Sequence, residues 1–99
     1  VSTSDLPVIA IIGGSGHLGG ALAGRWCQAG YRVVIGSRNP DRARAAAAEH
    51  APAQGGSVVG ASNLEAATLA EVVVVAVPFA SQEATLSEIR PAVAGKLVV

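Results

Sequence analysis

Hydrophobic positions along this chain fall into short unbroken runs, separated by stretches in which apolar residues recur at helical spacing. Residues 8–12 (VIAII) are wholly apolar and stop at Gly13-Gly14. A run that does not alternate predicts a strand buried on both faces, as in a parallel sheet. Leu18, Leu22, Trp26 and Ala29 then follow at helix spacing, and Gly30 sits where helices end. Residues 32–36 predict a second strand. Asn39-Pro40-Asp41 combines a capping side chain, a proline suited to the first helical position and an early acid, so a helix starts there. Its alanine-rich continuation to about His50 has high helix propensity. Pro52 to Gly56 reads as a loop and residues 57–61 as a short strand, and Asn63 is placed to cap a brief helix ending near Ala70. Residues 72–77 are β-branched and apolar, with Pro78 as terminator. Residues from Ser81 to about Val93 are helical in part, and residues 96–99 suggest one more strand. Strands and helices alternate throughout, which predicts an α/β fold with a parallel sheet covered on both faces.

Composition narrows this picture. With 99 residues, the chain is one domain with a single modest core. Hydrophobic residues are 51% and aromatics 3%, so disorder is excluded and the core rests on Ala, Val, Leu and Ile. A single cysteine cannot form an internal disulfide, and no Cys/His cluster has zinc spacing. Seven basic and seven acidic residues cancel, so no global field favours nucleic acid or an anionic membrane. There is no signal-peptide pattern at the N-terminus and no apolar run near the roughly 20 residues of a membrane span, so a cytoplasmic location is expected.

The segment Gly13-Gly14-Ser15-Gly16-His17-Leu18-Gly19 joins the first strand to the first helix. Gly14, Gly16 and Gly19 satisfy G-x-G-x-x-G, in which glycines allow a tight turn, a close pyrophosphate and close helix–strand packing. Backbone N–H groups at a helix N-terminus then face the phosphates. Gly13, Gly16 and Gly19 also fit G-x-x-G-x-x-G, a spacing used by extended short-chain-dehydrogenase-like domains, some of which are NADP sensors rather than enzymes. Either way, residues 1–99 are expected to form a dinucleotide-binding domain, a three-layer Rossmann-type doubly wound sheet of about five strands.

An NAD-preferring domain places Asp or Glu at the end of the second strand, against the ribose 2′-hydroxyl. Here that place reads Gly36-Ser37-Arg38, with Arg42 in the first turn of the next helix. A hydroxyl and guanidinium groups suit a 2′-phosphate, which a carboxylate would repel. The plain alternative is a solvated arginine balanced by Asp41. Residues 6–48 carry five Arg and one Asp, net +4, whereas the remainder is net −4. The predicted cofactor is therefore NADP(H). Ala76, Val77, Pro78 and Phe79, ending the fourth strand, are expected to line the nicotinamide side of the crevice; a strand terminator plus a core aromatic is the plain alternative.

Together GGSGHLGG, VVIGSRNPDRARAAAAEH, VVVVAVPF and GKLVV resemble the N-terminal half of the NADP oxidoreductases dependent on coenzyme F-420, a deazaflavin. The resemblance runs from Val8 onward; G-S-R and V-P-aromatic are its more specific parts. It implies that Ser15, Gly16, His17 and Leu18 wrap the pyrophosphate. It also implies that Ser37, Arg38 and Arg42 hold the 2′-phosphate and that Ala76, Val77 and Pro78 line the nicotinamide. The implied chemistry is reversible hydride transfer between NADP(H) and coenzyme F-420, where positioning of two rings matters more than an acid or base. A homodimer of the full-length protein is compatible with the resemblance. The family commonly has Trp at the position of Phe79 and often His at that of Ser81, and it extends well past the last strand here. An apolar strand at residues 96–99 and the absence of methionine add to the expectation of an N-terminal part of a longer enzyme. A non-catalytic NADP(H) sensor and the cofactor domain of another NADP-dependent dehydrogenase are the alternatives.

No catalytic acid, base or metal site emerges. Cys27 and Trp26 read as core, His50 as solvated or capping, and Ser81, Thr85 and Ser87 lack the His/Asp partners of a nucleophile.

Overall fold

The structure, a computed structural model, describes residues 6–13, 17–50, 56–77 and 79–98, with the side chains of His17, Leu18 and Phe79 left aside. In chain order its elements are β1 (Ile9–Ile12), α1 (His17–Gln28), β2 (Arg32–Ser37), α2 (Pro40–Ala48), β3 (Ser57–Ser62), α3 (Asn63–Leu69), β4 (Val72–Val75), α4 (Phe79–Ile89), a 3₁₀ turn (Arg90–Ala92) and β5 (Leu97–Val98). All strand pairs are parallel and the sheet order is β3-β2-β1-β4-β5. This is the α/β Rossmann-like architecture expected from the sequence.

The unbroken apolar run of β1 follows from its central place. It pairs with β2 through Ile9↔Val33 and Ile11↔Ile35, and with β4 through Ile9↔Val72 and Ile12↔Val75. All four of its residues are buried. Successive side chains point to opposite faces, so both faces need apolar residues. Ala10 and Ile12 join Val34, Val73, Ala66, Ala67 and Ile89 in one core. Ile9 and Ile11 join Val33, Ile35, Ala23, Ala43 and Ala47 in the other, with Trp26 and Leu22 packed at its margin.

Alanine-rich helices fit this sheet because they approach it closely. A Cβ at Gly60 of β3 would collide with the backbone of Ala43 and Arg44 in α2. The α2 backbone therefore lies almost directly on β3, and Ala43 and Ala47 are large enough to fill the space.

Several boundaries differ from expectation for identifiable reasons. The fourth strand ends at Val75 rather than Val77, because β1 offers ladder partners only as far as Ile12. The last helix begins at Phe79, before Ser81, and tightens into the 3₁₀ turn as Pro91 approaches. The cap of α3 is Ser62, not Asn63: Ser62 Oγ accepts from Glu65 N–H at 3.2 Å and donates to Glu65 Oε1 at 3.1 Å. The Glu65 carboxylate thus holds the capping hydroxyl itself rather than the Ser62 backbone N–H of a full capping box, and the S-x-x-E spacing is present in the sequence. At the other end of α3, Lys96 Nζ donates to the carbonyls of Ala67 (2.6 Å) and Thr68 (2.9 Å). A cation there satisfies carbonyls that the helix leaves open and complements its dipole. No helix among the described residues is long and apolar enough to cross a membrane.

Candidate functional site

Strand order reverses at β1, which has β2 on one side and β4 on the other. In open parallel sheets, ligands bind beyond the carboxyl ends of the strands at such a point. At that edge Gly13 leaves β1 with φ +78°, a conformation that side chains other than glycine's disfavour. Its N–H donates to the Gly36 carbonyl at 2.9 Å, tying the end of β1 to the end of β2. Ala76 N–H donates to the Ile12 carbonyl at 2.8 Å, tying β1 to the segment after β4. A Cβ on Gly13 would lie 3.1 Å from the Ala76 carbonyl oxygen and would collide with Val77 Cγ1. Gly13, Ala76 and Val77 thus form one continuous wall, apolar on the Val77 side and anchored at both neighbours of β1.

The other half of the edge is built by β2. Ser37 is its last residue and is buried, with Oγ accepting from Asn39 N–H at 3.2 Å. Asn39 in turn caps α2, its Oδ1 accepting from Asp41 N–H (3.0 Å) and Arg42 N–H (3.4 Å). These bonds fix the path from strand to helix, so that Arg38 leaves between two anchored residues and Arg42 lies in the first turn of the helix. Both arginines are exposed. Asp41, the acid of that first turn, is paired with Arg44 at 2.8 Å, and among the described residues neither Arg38 nor Arg42 has a carboxylate partner. The plain alternative of an arginine balanced by Asp41 therefore applies to Arg44. What remains at the end of β2 is a hydroxyl with two uncompensated guanidinium groups, a donor set matched to a phosphate dianion.

The fold brings Ser37, Arg38 and Arg42 together at one end of the edge and Ala76 and Val77 at the other. Gly14, Ser15, Gly16 and Pro78 lie outside the described residues. His17, Leu18 and Gly19 open α1, with Gly19 buried, and Phe79 opens α4. Two residues do more at this edge than the sequence indicates. Gly13, expected to end the first strand and to fit the alternative glycine spacing, also ties two strands together through its positive φ and its bond to the Gly36 carbonyl. Asn63 was read as a cap, yet its side chain is turned inward and 2% exposed. Away from the edge, Cys27 is buried on α1, as expected. His50 lies against α1, where a Cβ on Gly24 would stand 3.3 Å from its ring. No cluster of three or more His, Cys, Asp or Glu that could hold a metal occurs among the described residues.

Comparisons with known proteins agree with this fold. Residues 8–99 match the family model described as NADP oxidoreductase, coenzyme F-420-dependent. The chain is 43% identical over 94 residues to an F-420-dependent NADP reductase of Methanothermobacter marburgensis, covering 92% of this chain and 42% of the relative. The corresponding protein of Methanothermobacter thermautotrophicus is 44% identical over 94 residues, with 92% and 40% covered. Among solved structures, that of a proposed F-420-dependent NADP reductase from an Arthrobacter species superposes with a TM-score of 0.76 at 31% identity, covering 91% of this chain and 42% of that one. The chain thus spans about two fifths of the length of the relatives it matches. A sheet with its switch point at β1, a serine followed by Arg38 and Arg42 at the end of β2, and a family match from Val8 onward lead to one conclusion: the chain belongs to the coenzyme F-420-dependent NADP oxidoreductases.

Proposed function

We propose that this chain is the NADP(H)-binding part of an oxidoreductase that exchanges hydride between NADP(H) and the deazaflavin coenzyme F-420. The observation that carries the reading is the end of β2, where Ser37 is anchored and Arg38 and Arg42 lack carboxylate partners among the described residues. That set fits a ribose 2′-phosphate; an NAD-type site would need an acid in the same place. Ser37, Arg38 and Arg42 hold the 2′-phosphate, and the glycine segment Gly14, Ser15, Gly16, His17, Leu18 and Gly19 carries the pyrophosphate on backbone N–H groups. Ala76, Val77, Pro78 and Phe79 border the nicotinamide.

The bound dinucleotide supplies the hydride, so the protein's task is to orient a ring and exclude water rather than to move a proton. The wall of Gly13, Ala76 and Val77 suits that task, being apolar and fixed to β1 by backbone bonds. Names carried by the relatives support the deazaflavin as the second substrate, which their longer chains would help to hold. The test has two parts. NADPH should bind this chain far more tightly than NADH, and the full-length protein should oxidise NADPH with coenzyme F-420. NADPH binding without turnover on that acceptor would favour a sensor or another dehydrogenase.

A further inference from the structure

Asn63 combines three properties that its place in α3 does not explain. It is buried, with 2% of its surface exposed, and its carboxamide oxygen has no hydrogen-bond partner among the described residues. Helix capping does not occupy it, because the Ser62–Glu65 pair does that work. Its position also follows the cofactor edge: Ser62 pairs in register with Ser37, so Asn63 stands one residue beyond the sheet beside the end of β2. Gly36, which directly precedes Ser37, makes room for it. A Cβ at Gly36 would lie 3.0 Å from Asn63 Oδ1 and 3.1 Å from Asn63 Cα.

A buried amide oxygen left without a donor destabilises the free protein. Such a broken local rule at the edge of a binding site calls for a ligand that repairs it. We propose that Asn63 is a nucleotide-binding residue, and that its carboxamide oxygen accepts a hydrogen bond from the free hydroxyl of the 2′-phosphorylated adenosine ribose. This deepens the NADP(H) reading and rests on it. An unpaired oxygen selects a donor, which the phosphate is not; the ribose hydroxyl beside that phosphate is the nearest donor that a nucleotide held by Ser37 and Arg38 brings. The oxygen stands against Gly36 in the free chain, and the terminal torsion of Asn63 is broad and soft, so the carboxamide can turn to meet that hydroxyl. Asn63 thereby discriminates by the sugar, whereas Arg38 and Arg42 discriminate by the phosphate.

The test is a cycle between protein and ligand, read by calorimetric titration. The probes are adenosine 2′,5′-bisphosphate and its 3′-deoxy analogue, titrated into the wild-type chain and into Asn63→Ala, with Arg38→Ala as reference. Loss of the 3′-hydroxyl should weaken binding to the wild type by about tenfold, the size of one hydrogen bond to a buried polar partner. The same loss should change Asn63→Ala by less than about twofold, since the partner is already gone. In the wild type, the Asn63 carboxamide NMR signals should move on adding the bisphosphate and less on adding the 3′-deoxy analogue. Equal sensitivity of both proteins to the 3′-hydroxyl, with unmoved carboxamide signals, overturns the assignment and leaves Asn63 as packing. If Arg38→Ala loses the bisphosphate while Asn63→Ala keeps it in full, this inference alone fails. If the wild type does not bind the bisphosphate at all, the NADP(H) reading fails with it.

Discussion

Asp41 accepts its ion pair from Arg44, at 2.8 Å, and from neither Arg38 nor Arg42. The bond is a one-turn contact on the exposed side of α2, so it contributes little to stability. Its consequence is electrostatic. Asp41, the acid in the first turn of α2, is engaged along the helix, and among the described residues neither arginine beside Ser37 has a carboxylate partner to weaken its attraction for an anion.

Removal of either free arginine should therefore act on one cofactor only. Arg38→Ala and Arg42→Ala should each weaken NADPH by about tenfold or more, the scale of a charge-assisted bond to phosphate. NADH affinity should change by less than about twofold. Fluorescence or calorimetric titration with both nucleotides measures the ratio, and a parallel loss of NADH binding would count against a 2′-phosphate contact.

Arg44→Ala should behave differently. Fold stability should change by no more than about 1 kcal/mol, since the pair is exposed. The released Asp41 carboxylate then competes for Arg38 and Arg42, so NADPH should bind about two- to threefold more weakly at low salt, with the difference fading as salt screens it. Titrations at two ionic strengths, alongside urea denaturation, separate these effects.

Substitution of Gly13 should damage both fold and site. Gly13→Ala forces a side chain into a backbone with φ +78° and against Val77 and the Ala76 carbonyl. A cost of about 1–3 kcal/mol from the backbone alone is expected, before the displacement of Val77 is counted. Denaturant unfolding gives the first quantity. Loss of NADPH affinity beyond the fraction unfolded gives the second, and a variant as stable as the wild type would contradict the assigned turn.

The cap of α3 offers a clean control. Ser62→Ala should destabilise the chain by about 0.5–2 kcal/mol through loss of the bond to Glu65 N–H. NADPH affinity of the folded protein should hardly move, because the Ser62 hydroxyl is engaged on both sides by Glu65. A large loss of affinity at unchanged stability would place Ser62 in the site instead.

Much of this molecule was legible before its structure. The parallel sheet follows from apolar runs at β1 and β2 that do not alternate, since only strands covered on both faces need them. Helix α2 was legible at its start because Asn39, Pro40 and Asp41 act through bonds within a few residues. The end of β4 was not, because a strand stops where its neighbour stops, and residues 72–77 carry no record of where β1 ends. Asn63 was misread for a related reason: two candidate caps stand side by side, and the choice depends on which side chain the sheet leaves outside.

The sequence by itself therefore determined the class of fold and the family, because both are written in residue type and local spacing. Among the described residues, tertiary structure decided which charges are unpaired, which amide oxygen is buried without a partner, and which strands Gly13 joins. Those facts depend on residues far apart in the chain, such as Gly36 beside Asn63 and Gly13 against Val77, and distance between remote residues is set only when the sheet has formed.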